Sequence, residues 1–278
     1  MTMSVSRRHL LAGAGGLLVL AACGGDSKPF IVAGRYPSNT LVPGKIRLPI
    51  SLADKDSLLT SGPSKLTGRV LDSSNKLIAN VTAGIRSKDM VIPYWPFVVD
   101  IATPGVYTLR IDGDDGNGTD FLVSDPADVT VPYVGSKLAP FDTPTVDNHR
   151  GVEPYCSLTP NPCPLHAVTL TQALSSGTPV GYMIGTPAHC QTGVCAPALE
   201  FLVKSHARIG DKITMVHADV YSDPAGTTVA PAVAALGLDY EPVLYLCDPD
   251  ATVRDRIDVM WDQSELDERL DAFLAAVS

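Results

Sequence analysis

Basic residues are in the minority: 21 Lys and Arg face 30 Asp and Glu, a net charge of -9 at pH 7. So acidic a chain repels phosphate backbones and anionic headgroups, which argues against nucleic acid as a partner and against binding to anionic lipid by charge. A membrane-spanning run is also missing. The longest apolar stretch, Leu10 to Ala22, falls short of the ~20 residues that a transmembrane helix needs. No polar face alternates with that stretch, so it does not read as an ordinary amphipathic helix. Global disorder is excluded by a 45% hydrophobic content, and 278 residues supply cores for two globular units.

What stands at the N-terminus has the order of an export signal: Arg7 and Arg8, then the apolar run, then small residues and Cys23. Leu20-Ala21-Ala22-Cys23 resembles a bacterial lipobox, and Ser6-Arg7-Arg8-His9-Leu10-Leu11 resembles a twin-arginine export motif. These resemblances imply a lipoprotein signal peptide over residues 1–22, lipidation of Cys23 and a short tether over 23–29. The implied location is the extracytoplasmic face of the cell membrane. Removing residues 1–22 takes away Arg7 and Arg8 and no acid, so the net charge goes from -9 to -11. Attachment is then expected from the acyl chains rather than from surface charge.

Export decides how the cysteines are read, since disulfides persist outside the cytoplasm. With Cys23 lipidated, five remain: Cys156, Cys163, Cys190, Cys195 and Cys247. An odd number leaves one thiol free or paired between molecules. Cys247, in the apolar VLYLC run, reads as the buried and inert one. Cys156 and Cys163 lie seven apart with His149 and His166 nearby, but the spacing matches no standard zinc finger. A structural disulfide between Cys156 and Cys163 is therefore expected, holding a Pro-rich segment against the next domain.

Residues 30–134 read as an all-β domain. KIRLPISL, LTGRVLD, KLIANVTAG, FVVDIA, GVYTLRIDG, TDFLVSD and DVTVPYV are short alternating runs separated by Gly, Pro, Asn and Asp. PGVYTLRI resembles the penultimate strand of immunoglobulin-like domains, which implies an antiparallel sandwich. DGDDGNGTD, residues 112–120, has calcium-loop composition, but Val123 stands where a bidentate Glu is required, so a hairpin turn is expected. Residues 135–165 lack periodicity and read as a linker or wrapping segment. From residue 166 to 278 the order is β, α, β, α, β, β, α, an α/β sheet with an antiparallel hairpin near its end.

This second unit resembles the thioredoxin-like family. TPAHCQTGVCAP, residues 186–197, places a cysteine pair between the first core strand and its helix. GLDYEPVL, residues 237–244, resembles the segment that carries a cis-proline before a strand. TPAHCQTGVCAP, with DTPTVDNHRG and CPLHAVTL upstream, is similar to lipid-anchored thioredoxin-like proteins of actinobacteria. The resemblance covers about residues 135–278 and implies that Cys190, Cys195 and a cis Pro242 form a redox site, with the Glu241 backbone placed to hydrogen-bond an extended substrate. Thioredoxins separate their cysteines by two residues, and this chain has four between them. Five residues of regular helix rise ~7.5 Å, beyond the ~4.4 to 6.8 Å between Cα atoms that a disulfide requires. Pro197 suits only a first helical turn, so the helix is expected to start near Cys195 or Ala196 with Cys190 in the preceding loop.

Which cysteine attacks stays open. The helix N-terminus favours a thiolate on Cys195, whereas alignment on the strand makes Cys190 the nucleophile and Cys195 the resolver. His189 reads either as a stabiliser of a neighbouring thiolate or as a loop residue without a role. The buried acid of thioredoxin's first strand has no counterpart in GYMIG, so proton transfer needs another group or water. The resemblance implies thiol-disulfide exchange on exported protein thiols and disulfides, without a cofactor. The alternatives are an inert adaptor with a structural Cys190–Cys195 bridge, or a copper-handling relative using His189 or Met183 as extra ligands. A T-x-x-C echo of peroxiredoxins ends at Cys195 but lacks the expected proline spacing. Trp95 and Trp261 read as packing residues.

Overall fold

The computed structural model describes residues 30–190 and 193–277. The expected signal peptide, the lipidated Cys23 and the tether lie outside these residues. Among them, no helix is long and apolar enough to cross a membrane.

The first unit is β-rich. A three-stranded antiparallel sheet has the order β1 (Ile31–Gly34), β2 (Gly44–Ala53), β5 (Trp95–Ile101). A four-stranded antiparallel sheet has the order β4 (Leu77–Gly84), β3 (Lys65–Asp72), β6 (Gly105–Ile111), β7 (Thr119–Val123). Strict alternation drives the fold: along β5, Trp95, Phe97, Val99 and Ile101 are buried while Val98 and Asp100 face water. These side chains meet Val70 and Leu109 of the other sheet in one core. Gly68 is required where β3 crosses β6, because a Cβ there would stand 2.3 Å from the Arg110 carbonyl oxygen.

Two sequence expectations change. The first strand is Ile31–Gly34, and residues 128–134 form no sheet strand. The valines of DVTVPYV alternate like a strand, yet Val129 and Val131 pack into the core of the second unit instead of joining a ladder. Residues 112–118 form the expected hairpin turn before β7: Asp114 carboxylate oxygens accept the Gly116 and Gly118 amides at 3.2 and 2.9 Å.

The second unit is an α/β sheet of order β11 (Val253–Asp258), β10 (Val243–Cys247), β8 (Val180–Ile184), β9 (Thr214–Ala218). β8 pairs in parallel with β9 and antiparallel with β10, which pairs antiparallel with β11. Every residue of β8 and β10 is buried, because helices cover both faces. Met183, Leu244 and Leu246 meet α2 (Cys195–Ile209) and α4 (Gln263–Val277). Tyr182, Ile184, Val243, Tyr245 and Cys247 meet α1 (Leu170–Leu174) and α3 (Pro231–Leu236) on the other face. Cys247 is thus a core thiol, pushed up to about 12 by burial. Gly237 stops α3 in left-handed geometry, with φ 64° and ψ 29°.

A buried ionic clamp joins the two units. Arg47 of β2 donates from Nε to Glu265 Oε1 at 2.6 Å and from Nη2 to Oε2 at 2.8 Å. Its Nη2 also donates to the Met260 carbonyl at 2.7 Å, and the Tyr94 hydroxyl donates to Glu265 Oε2 at 2.6 Å. Tyr94 Oη in turn accepts the Asp262 amide at 2.8 Å. Beside this, the buried Arg256 of β11 donates to the carbonyls of Pro132 and Thr40. Trp95 and Trp261 are fully buried, one in each core, as expected of packing residues.

Candidate functional site

Cys190 and Cys195 form a disulfide with Cα atoms 5.9 Å apart. The helix starts at Cys195 and Pro197 sits in its first turn, as the sequence requires. Cys190 lies in the loop that follows β8. There Gly193, at φ 67°, donates its amide to the Cys190 carbonyl at 3.3 Å.

The two sulfurs differ in exposure. Cys195 is fully buried, packed with Val194, Met260 and Tyr94, whereas Cys190 is half-buried at the edge of that group. Tyr94 comes from the β-rich unit, so the clamp that fixes its hydroxyl also fixes an aromatic cover over Cys195. The free amide of the first helical residue, Cys195, points at Cys190 Sγ from 3.3 Å. Helix N-terminal stabilisation is therefore directed at Cys190. Of the two cysteines that the sequence left open, this contact bears on Cys190.

Glu241–Pro242 is a cis bond. Pro242 is buried against Gly185, where an added Cβ would meet the proline Cβ at 3.2 Å. The Glu241 side chain is held in place: Oε2 accepts the Thr186 amide at 2.5 Å. Burial pushes this carboxyl up to about 7, against the lowering effect of the Thr186 amide. Sequence reasoning, looking for an acid on the strand before the cysteines, missed one on the loop before the proline.

His189 packs edge-on against Tyr221, with ring centroids 5.5 Å apart. Gly226 approaches so closely that a Cβ would stand 2.8 Å from the imidazole. Met183 belongs to the core between sheet and helices and not to the group around the disulfide. Neither residue joins the cysteine pair in a ligand set. Among the described residues the one candidate metal group lies elsewhere.

That group corrects the expected Cys156–Cys163 disulfide, because both cysteines are free and buried. With His166 and His217 they place one donor atom each within 4.8 Å of the others. His217 Nδ1 lies 3.8 Å from Cys156 Sγ, 3.6 Å from Cys163 Sγ and 3.1 Å from His166 Nε2. Bonding from Cys163 draws Cys156 far below the ordinary thiol range, and the same contact with burial pushes Cys163 far above it. Burial opposes charge on His217, yet the neighbouring Cys156 leaves its value raised. His149, the other imagined ligand, is turned away to Glu153 Oε1 at 2.6 Å.

The two sites are neighbours through the chain between them. Ser157, next to Cys156, donates to the buried Asp219 carboxylate from its amide at 2.6 Å and its hydroxyl at 3.1 Å. Ser157 Oγ accepts the Ala188 amide at 3.2 Å, two residues before Cys190. His217 Nε2 meets the Gly185 carbonyl at 2.9 Å. Comparison of the chain with protein-family models and with curated proteins gives no match.

Proposed function

We propose that the chain is a thioredoxin-like thiol-disulfide exchange protein acting at Cys190 and Cys195. The observation that carries this reading is the asymmetry of the pair: a half-buried Cys190 receiving a helix N-terminal amide, and a fully buried Cys195 on the first helical residue. Supporting it are the strand order β9-β8-β10-β11, with one parallel and two antiparallel pairings, and the cis Pro242 packed beside the loop that leads to Cys190. The lipobox resemblance supports a location on the extracytoplasmic face of the membrane, with a tether through Cys23 and exported proteins as clients.

The Cys190 thiolate attacks one sulfur of a client disulfide. A Cys190–client bond forms, and the other client sulfur leaves as a thiolate that takes a proton. Cys195, as thiolate, then attacks Cys190 Sγ, which closes the internal disulfide and releases the client sulfur reduced. Two electrons pass to the client, and the reverse sequence oxidises a client dithiol. Glu241 is the proton-exchanging group nearest in sequence to the substrate-facing proline, with a value suited to neutral pH. The β-rich unit acts as the lid on Cys195, confining external attack to Cys190.

The test is redox titration of the full chain against glutathione buffers with thiol trapping, in wild type, Cys190→Ser and Cys195→Ser. Exchange predicts a measurable dithiol fraction and a mixed disulfide that accumulates on Cys190 in Cys195→Ser alone. A pair that stays oxidised below about -300 mV would be a structural bridge, and the proposal would fail.

A further inference from the structure

We infer that Cys156, Cys163, His166 and His217 form a tetrahedral zinc site that pins the 144–166 segment to β9 and the loop leading to Cys190. A tetrahedron with Zn–S of ~2.3 Å and Zn–N of ~2.0 to 2.1 Å has edges of roughly 3.3 to 3.8 Å. The three ligand separations around His217 Nδ1, at 3.1, 3.6 and 3.8 Å, fall on or near those edges. All four residues are buried, so few waters can satisfy the donors in place of a cation.

The far nitrogens supply the second argument. His217 Nε2 faces the Gly185 carbonyl at 2.9 Å and His166 Nδ1 faces the Pro144 carbonyl at 3.3 Å. A carbonyl only accepts, so each of these nitrogens carries its proton outward. That leaves the lone pairs of His166 Nε2 and His217 Nδ1 directed at each other across 3.1 Å. Facing lone pairs are relieved by a shared proton or by a metal cation, and the two buried sulfurs beside them complete a four-donor set that a proton alone would not use. Metal-ligating imidazoles are oriented in this way by carbonyls on their second nitrogen. The sulfurs are prepared similarly, since Cys156 Sγ accepts the Cys163 amide at 3.3 Å and Cys163 accepts a backbone bond from Leu165. Two cysteine sulfurs and two imidazoles in a buried site are the donor set of structural zinc.

The site would act on the neighbouring chemistry by position. His217 holds the Gly185 carbonyl, and Ser157, next to ligand Cys156, holds Ala188. Metal removal therefore frees both ends of the segment that carries the chain from β8 to Cys190.

The experiment measures zinc per chain in the full-length protein purified under reducing conditions, before and after chelation and reloading with Zn(II). Co(II) is then substituted to read coordination. The expected result is one zinc per chain, retained in Cys190→Ser/Cys195→Ser, and a Co(II) spectrum with tetrahedral d–d bands and thiolate charge transfer. Cys163→Ser and His166→Gln should each weaken zinc binding at least 10-fold. If either variant fails to fold, the wild-type stoichiometry and Co(II) spectrum decide. Three results would overturn the inference: a Cys156–Cys163 disulfide with no zinc taken up after its reduction, zinc lost in the Cys190→Ser/Cys195→Ser chain, or retention of Cu(I) without Zn(II). Because the control lacks the redox pair altogether, failure of the exchange reaction and failure of the zinc site are read separately.

Discussion

Replacing Arg47 with methionine removes the cation from the clamp while keeping most of the side chain's volume. Glu265 then remains buried with the Tyr94 hydroxyl and, at 3.6 Å, Arg269 as its neighbours. Breaking one partner of a buried pair costs ~3 to 5 kcal/mol. The acid's own titration gives a second measure. Burial would raise Glu265, but Arg47, with Arg269 and the Tyr94 hydroxyl, outweighs it and holds the carboxyl at about 2 against an ordinary 4.5. At 1.36 kcal/mol per unit, that depression is worth roughly 3 kcal/mol for the three partners together, of the same order as the first figure. The sign follows from a lowered folded-state value: the stabilisation is present above pH ~4.5 and is lost as pH falls toward about 2. In Arg47→Met this acid limb moves upward, because a buried carboxyl that has lost its bidentate cation keeps its proton to higher pH. Urea unfolding at pH 7 and pH 4 reads both effects by tryptophan fluorescence. Trp95 and Trp261 report one unit each once the other is changed to phenylalanine. A loss under ~1 kcal/mol at pH 7, or an unmoved acid limb, would refute the account of the clamp.

The lid over Cys195 makes a contrast between two variants. Tyr94→Phe should lose ~1 to 3 kcal/mol of stability through its unmade hydrogen bonds while Cys195 stays shielded. Tyr94→Ala should speed alkylation of Cys195 in the reduced protein at least 10-fold; equal alkylation rates in the two variants would mean that the ring is not the cover. Glu241→Gln should flatten the pH dependence of stability. A carboxyl raised to about 7 gives stability that is full below ~4.5 and lost as pH rises through 7. The amide should therefore be more stable than wild type at pH 8 by roughly 1 to 2 kcal/mol, discounted for partial exposure, and equal to it at pH 4. Its exchange rate should also lose the inflection near pH 7, and an unchanged pH–rate profile would remove Glu241 from proton transfer.

Local patterns made much of this fold legible. The alternation in β5 and β6, the charge-free runs of β8 and β10 and the glycines after α1, α2 and α3 each reflect a constraint within a few residues. Pro197 and the five-residue cysteine step likewise fixed the helix start at Cys195 and put Cys190 in the loop. Residues 128–134 misled because alternation states only that side chains divide between two environments, and here the inward set serves a core and no ladder. Long-range pairing was invisible for a different reason. His217 sits 51 residues after His166 inside an ordinary strand, and Glu265 lies 218 residues after Arg47. Neither spacing has a local signature. Cys156 and Cys163 invited a disulfide because, with His166 already near in sequence, their fourth partner His217 could be recognised only once β9 was placed beside them.

The traffic across the clamp also bears on modularity. The second unit takes Val131 into its core from before residue 135, and Cys195 takes its cover from Tyr94. A gene fragment starting at residue 135 would inherit the cysteine pair without its shield. Recombination can thus pass on the buried surroundings of the cysteine pair intact only by moving both halves together, and the β-rich half is inherited as part of that packing rather than as a passenger.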